Sequence, residues 1–257
     1  MAGIDGAMKH NPDYQKQLDS ILDKLDTQRQ TNGRKQTLLL HACCAPCSSY
    51  VIEYLSKYFD ITIYYYNPNI HPQEEYERRL NELKKFLTVF PLAVQNNIRL
   101  VVSDYNPEDY FIATNVRSET ELQTELEKGE RCRRCYEFRM KKAWEYAVQN
   151  NFDWFTTTLS ISPHKDADKI NTIGQELEHG KQAQMTNTNE RSEVITAPSV
   201  RSQKTNDSLF TSSTKFLPSN FKKKGGFLRS TQLSAEYGLW RQDYCGCVYS
   251  MRMREGL

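Results

Sequence analysis

The sequence predicts an α/β fold: a mostly parallel sheet with flanking helices and a cysteine-rich metal site at the C-terminal edge of the strands. Three observations predict it. Short β-branched or aromatic runs alternate with longer stretches of helical spacing. The first such run passes directly into a CCAPC loop. All seven cysteines of the 257-residue chain fall into three tight clusters.

Residues 12–31 place Tyr14, Leu18, Ile21, Leu22 and Leu25 at helical spacing and read as an amphipathic helix packed on the core. Residues 37–41 (TLLLH) form a short apolar run, read as a buried strand, and residues 48–58 read as a helix with a serine near its start as cap. Strand, tight loop and helix in this order bring a ligand to a helix N-terminus at the sheet edge. That end also favours thiolates at Cys43, Cys44 and Cys47. Residues 60–66 (DITIYYY) are the second strand and lead to the turn NPNIHP. Residues 73–90 are helical, 98–104 a third strand, and 108–126 contain helix. Residues 138–150 are helical, and 153–161 (DWFTTTLSI) make a fourth strand ending in SPHKD. A short helix is expected over 232–240.

Two stretches depart from this pattern. Residues 182–214 are rich in Thr, Ser, Asn and Gln without sustained period, and read as a polar, flexible insert. Residues 215–229 (KFLPSNFKKKGGFLR) carry five basic residues and no acid, with Phe216, Phe221 and Phe227 interleaved. Such a segment suits a phosphate backbone and splayed bases, or is simply a solvated face. Around Cys132 and Cys135, residues 128–142 set seven basic residues against two acidic ones. Residues 1–11 are taken as a variable tail and 12–257 as one catalytic α/β domain carrying the insert.

A formal net charge of +2 excludes a simple polybasic or polyacidic protein. No apolar run reaches the roughly 18–20 residues of a membrane span, and the N-terminus lacks a secretory apolar stretch. A cytoplasmic location is therefore expected. The odd number of clustered cysteines argues against a structural disulfide framework. Thiolates held two or three residues apart on separate segments are what a soft metal requires, and seven exceed the four of one tetrahedral ion or one ordinary cluster. Two metal centres, or one centre with redox thiols, follow. Spacing does not decide between zinc and iron.

The segments HACCAPCSSYVIEYL, YYYNPNIHPQEEYERR, GERCRRCYEFRM, FTTTLSISPHKD and FKKKGGFLRSTQLSAEYGLWRQDYCGC resemble the QueH-type epoxyqueuosine reductases in order and spacing, over about residues 12–250. The resemblance implies a sheet similar to the nucleotide-binding (HUP or PP-loop-like) folds, with CCAPC in place of the phosphate loop. It also implies cobalamin-independent two-electron reduction of epoxyqueuosine to queuosine at the wobble position of tRNA, the last step of queuosine biosynthesis. The implied cofactors are a 4Fe–4S cluster and an adjacent mononuclear iron, replaceable by zinc. The implied partners are the tRNA anticodon stem-loop and an electron donor, with no membrane. On this reading Cys43, Cys44, Cys132 and Cys135 hold the cluster, and Cys47, Cys245 and Cys247 hold the second iron, which serves catalysis. A swap of Cys47 or Cys247 with a cluster ligand remains open. His41, Asp104 and His164 are candidate proton donors, or else structural residues. Tyr66, Asn67 and His71 are candidate substrate contacts. Arg131, Arg133, Arg134, Lys222, Lys223 and Lys224 are candidates for the tRNA backbone. Three other readings compete: a zinc-stabilised RNA-binding protein, an ATP-dependent tRNA-thiolating enzyme, which needs a glycine-rich loop after the first strand, and a metal-free thiol redox protein.

Overall fold

The structure, a computed structural model, describes residues 12–180, 193–195 and 213–255. The expected N-terminal tail and most of the polar insert lie outside the described residues. Helix α1 (Tyr14–Asn32) starts where the Asp13 carboxylate accepts the Gln15 and Lys16 amides, and stops at Gly33 in the left-handed conformation. Its apolar stripe is buried, as its spacing predicts.

Five parallel strands follow: β1 (Gln36–His41), β2 (Phe59–Tyr65), β3 (Arg99–Val102), β4 (Trp154–Thr157) and β6 (Lys215–Phe216). A short β5 (Glu193–Ile195) pairs antiparallel on the β3 edge, giving the order β5-β3-β2-β1-β4-β6. The mostly parallel sheet is therefore as the sequence predicts. Crossovers are α2 (Ala45–Leu55) from β1 to β2, and α3 (Gln73–Val89) with α4 (Pro91–Gln95) from β2 to β3. Then α5 (Pro107–Thr114) and α6 (Glu130–Gln149) carry the chain back across β1 to β4. After β4 come α7 (Ala167–His179), β6, α8 (Gly226–Glu236) and α9 (Val248–Glu255). No described helix is long and apolar enough to cross a membrane.

The reversal of strand order between β1 and β4 opens a crevice at their C-terminal ends, where open α/β sheets take their ligands. One core layer packs α1, α2, α3 and α8 on one face through Leu18, Val51, Leu83 and Leu233. The other packs α6 and α7 on the opposite face through Met140, Trp144, Ile170 and Ile173.

Several boundaries differ from the sequence reading, each for a local reason. Helix α2 begins at Ala45, not residue 48. The hydroxyls of Ser48 and Ser49 donate backwards to the carbonyls of Cys44 and Pro46, so neither serine is the cap. The fourth strand ends at Thr157, whose hydroxyl accepts the Leu159 amide and starts a 3-10 turn (Thr158–Ile161). Helix α6 begins eight residues earlier than expected, because the Glu125 carboxylate accepts the amides of Glu130 and Arg131 at 2.6 and 2.7 Å. Helix α8 starts at Gly226 rather than 232, while α7 and α9 were not expected.

Helix α7 lies tightly on β6: a Cβ on Gly174 would stand 2.2 Å from the Phe216 ring. Gly174→Ala should destabilise the fold by roughly 1–3 kcal/mol through overpacking, read as a lowered Tm; an unchanged melt would show that α7 shifts freely.

Candidate metal centre

Three loops and one helix N-terminus converge on the crevice. The loop after β1 holds the first three cysteines. Cys44 is the extended N-cap of α2 and Cys47 lies in its first turn, so their sulfurs and that of Cys43 gather within 4.8 Å of one another. The Cys43 and Cys44 sulfurs are 3.7 Å apart. Helix α2 has no side-chain cap, which leaves its amide end facing these sulfurs. Asn67, just past β2, donates to the Ala42 carbonyl at 2.9 Å and accepts from Arg139 of α6, so the loop is tied to two other elements.

The early start of α6 puts Cys132 and Cys135 in its first turns, on one face. Cys245 and Cys247 come from the C-terminal loop, and all four line one cavity with Asn69, Tyr110, Arg131, Arg139 and Lys165. The loop is latched to the turn after β2: the His71 amide donates to the Gly246 carbonyl at 2.8 Å, and the Tyr244 hydroxyl donates to the His71 carbonyl. Gly246 has φ +102°, and a Cβ there would meet Ile70 at 2.8 Å and the Arg79 guanidinium at 3.0 Å. The sulfurs of Cys43, Cys44 and Cys47 form a close triad, and Cys132, Cys135, Cys245 and Cys247 are a tetrad in the sense that they line one cavity. The sequence reading sets Cys43 and Cys44 with Cys132 and Cys135, and Cys47 with Cys245 and Cys247, with an exchange of Cys47 or Cys247 left open.

Positive charge surrounds both groups. Arg79, Arg131 and Arg139 are 1–2% exposed and Lys165 is 8% exposed. Arg79 pairs with Glu75 at 2.7 Å and reaches the Cys245 carbonyl at 3.3 Å. Arg131 donates to the Leu122 and Gln123 carbonyls and stacks 5.5 Å from the Tyr249 ring centroid. Nη2 of Arg79, Nε and Nη2 of Arg131 and Nε of Arg139 are buried donors with no hydrogen-bond acceptor among the described residues.

The thiols respond to this setting. A hydrogen bond from Cys247, then the charge of Lys165, pull Cys245 down to about 5 against its burial. Hydrogen bonds from Cys44 and Cys47, with Lys165 and Arg139, hold Cys43 well below the usual thiol range. Burial and the charges of Cys245 and Cys135 push Cys132 up to about 11. The Tyr110 phenol, driven up by burial, stays neutral 3.0 Å from the Cys247 sulfur.

The donor set fits two metal groups. A tetrahedral ion with bonds of ~2.3 Å to sulfur sets sulfurs roughly 3.8 Å apart, which the 3.7 Å pair in the triad matches. The tetrad lines a small cavity of about 20 Å³ with its sulfurs supplied by two segments, a thiol donor set that suits a metal group, and the orphaned guanidinium donors beside it match an anionic one.

Beside the metal centre runs an open cleft of about 300 Å³, walled by Cys43, Cys47, Cys245, Phe227, Arg241 and Gln242. Gln242 donates to the Cys44 sulfur at 3.0 Å. His164 lines this cleft, 68% exposed, with Nδ1 3.7 Å from Glu127. The other two expected proton donors do not suit that role. His41 is fully buried between the Thr157 hydroxyl (2.8 Å) and the Tyr66 carbonyl (3.2 Å). Burial and then Arg139 push it down to about 3, so it is neutral and positions strands. Asp104 is exposed and lines none of the cavities beside the cysteines. Tyr66 and Asn67 are buried, and His71 packs between Phe111 and Tyr110 behind the CGC loop. These three support the loops and do not line the cleft.

The basic surface is also rearranged. Arg131 is buried and is no backbone contact. Arg133 pairs with Glu130 and Glu137, and Arg134 with Glu119 and Glu130, at 2.8–3.0 Å. Lys222 donates to the Lys165 carbonyl, Lys224 pairs with Asp19 at 2.6 Å, and Lys223 is exposed. Of the three phenylalanines there, Phe216 and Phe221 are core and Phe227 is at the surface. Sequence reasoning missed Arg79, Arg139, Lys165, Glu127 and Gln242. Their signal was weak: each is a common charged or polar residue whose burial is tertiary.

A family model described as Epoxyqueuosine reductase QueH matches residues 38–210 and 197–253. The chain belongs to the QueH family. This QueH-family chain is 35% identical over 244 residues to the epoxyqueuosine reductase QueH of Streptococcus pyogenes serotype M1, covering 95% of this chain and 82% of that one. It is 33% identical over 239 residues to the Staphylococcus aureus protein of that name (93% and 85% covered), and 31% over 219 to the Thermotoga maritima one (85% and 92%). The matched residues run from β1 into α9 and include all seven cysteines.

The Gly246 geometry has a direct consequence. Gly246→Ala should displace the CGC loop from Ile70 and Arg79, so metal content should fall by about half or more while circular dichroism keeps the α/β signature. Full metal content in this variant would refute the latch.

Proposed function

We propose that this chain is a metal-dependent epoxyqueuosine reductase acting on the wobble nucleoside of tRNA, without cobalamin. The single observation that carries this reading is the convergence of seven buried or half-buried cysteines on one region of a QueH-family chain, Cys43, Cys47 and Cys245 lining the cleft and Cys132, Cys135, Cys245 and Cys247 the adjoining chamber. The tetrad Cys132, Cys135, Cys245 and Cys247 would hold a 4Fe–4S cluster, and the triad Cys43, Cys44 and Cys47 a second metal ion, iron or a substituting zinc. When bound, these groups would supply electrons singly and Lewis acidity toward the epoxide oxygen.

Opening an epoxide to an alkene and water takes two electrons and two protons. The chain's own residues contribute position, charge and protons. Arg79, Arg139 and Lys165 hold charge beside the sulfurs, stabilising negative charge that arrives with the electrons. The wall of Ile161, Pro163 and Phe227 limits water at the reacting carbons. His164 is the expected proton donor that stands in the cleft, exposed enough to be reprotonated from solvent. Phe227, with the Arg241 guanidinium 5.2 Å from its ring centroid, is a stacking platform at the rim for an unpaired base. Lys222, Lys223 and Lys224 begin the face that would meet the tRNA backbone, with an electron donor as further partner in the cytoplasm.

Anaerobically purified protein should be brown, with about five irons and about four sulfides per chain, and should convert epoxyqueuosine in tRNA. Cys132→Ser should lose sulfide and most iron, whereas Cys44→Ser should lose about one metal ion and keep the sulfide. Colourless protein that binds only zinc after reconstitution would favour an RNA-binding role. Affinity for tRNA should fall steeply between low and moderate salt, with a logarithmic slope of a few units. A flat response in filter binding would remove the basic face from the interface.

A further inference from the structure

The cleft and the metal chamber share four residues: Cys245, His164, Lys165 and Glu127. Glu127 is the carboxylate among them. The chamber is otherwise lined by four cysteines, by Asn69, two tyrosines and His164, and by the cations Arg131, Arg139 and Lys165, and no second Asp or Glu among the described residues lines it. The carboxylate is one-quarter exposed, and the Ser250 hydroxyl donates to its Oε1 at 2.7 Å, which aims it. Its other oxygen holds only a long contact to exposed His164, at 3.7 Å.

The substrate's chemistry meets this arrangement. In epoxyqueuosine a secondary amine joins the deazaguanine methylene to the cyclopentane ring that bears the epoxide. An alkylamine is cationic near neutral pH. Any pose that brings the epoxide to the sulfurs therefore carries an ammonium, one ring atom away, to the junction of cleft and chamber, where the cation Lys165 stands. Such a charge needs an anionic partner at the junction of cleft and chamber. We infer that Glu127 binds the linker ammonium of the substrate and so sets the epoxide at that junction, displacing the long contact to His164. This inference rests on the reductase reading and adds the residue that distinguishes modified from unmodified tRNA. Asp243, the other carboxylate of the cleft, is 68% exposed and paired with Arg254, so it stands at the mouth.

The test uses full-length protein reconstituted anaerobically: wild type, Glu127→Gln, and Glu127→Asp. Two quantities are read, steady-state kcat and KM on epoxyqueuosine tRNA, and affinity for that tRNA against the same tRNA with guanosine at the wobble position. Glu127→Gln should raise KM about tenfold, the size of one charge-assisted hydrogen bond. It should lose most of the preference for the modified tRNA and bind the unmodified one as wild type does. Glu127→Asp should recover part of the preference. A Glu127→Gln protein that keeps the wild-type preference overturns the inference. So does one that loses iron, because Glu127 would then belong to the metal site. Wild-type protein that binds iron and sulfide yet leaves epoxyqueuosine intact overturns the reductase reading itself, a separate result from an unchanged preference in the variant.

Discussion

The arrangement depends on four buried cations facing sulfur. Arg79, Arg131, Arg139 and Lys165 are withdrawn from water, and an uncompensated buried ion costs several kcal/mol. Glu75 compensates Arg79 alone. The remaining counter-charge comes from thiolates, and the two sulfurs most easily deprotonated, Cys43 and Cys245, are held down first by hydrogen bonds from neighbouring cysteines and then by the charge of Lys165. Cations and cysteines therefore stabilise each other. Anionic metal–sulfur groups suit this pocket, and a neutral one would leave the guanidinium donors unpaired.

The fold supplies these groups from points far apart in the chain. The switch point between β1 and β4 sets the CCAPC loop at the edge of a crevice. The return crossover lays α6 over the sheet with its N-terminal turn pointing to the same edge, held there by Glu125. The C-terminal loop closes the chamber from outside, fastened to the turn after β2 by one backbone hydrogen bond, one from the Tyr244 hydroxyl, and a glycine with positive φ. The cleft beside the chamber is then bounded by α8 and by the turn after β4, so cleft and chamber share Cys245, His164, Lys165 and Glu127.

Much of this was legible in the chain. The four main strands were readable because β-branched and apolar runs are short and bounded, and the parallel order followed from their alternation with helices. The cysteines were legible because cluster spacing is local. The basic run at 128–142 counts seven cations against two acids, but the count shows neither which cations are paired with those acids nor that Glu119 reaches in from outside. Glu119 reaches Arg134 from fifteen residues upstream, and the one-turn spacing of α6 pairs Arg133 with Glu130 and Glu137. Helix α7 was passed over because its polar faces sit next to the insert, and its cap, the Asp166 carboxylate, is a single residue. His41 read as a candidate acid because a strand-end histidine looks alike whether it faces a ligand or a threonine hydroxyl.

By itself the sequence determined the α/β class, the clustering of the seven cysteines and the family resemblance, because each is written in short-range order: period, spacing and contiguous motif. Only the tertiary structure decided that Cys43, Cys44 and Cys47 gather closely, which arginines are buried near the cysteines, and which carboxylate lies at the junction. Those outcomes depend on distances between residues more than a hundred positions apart, such as Arg79 and the Cys245 carbonyl, or Glu127 and the Ser250 hydroxyl. Such distances are set by strand order and helix start, where a shift of one helical turn would bring a different sulfur to each group.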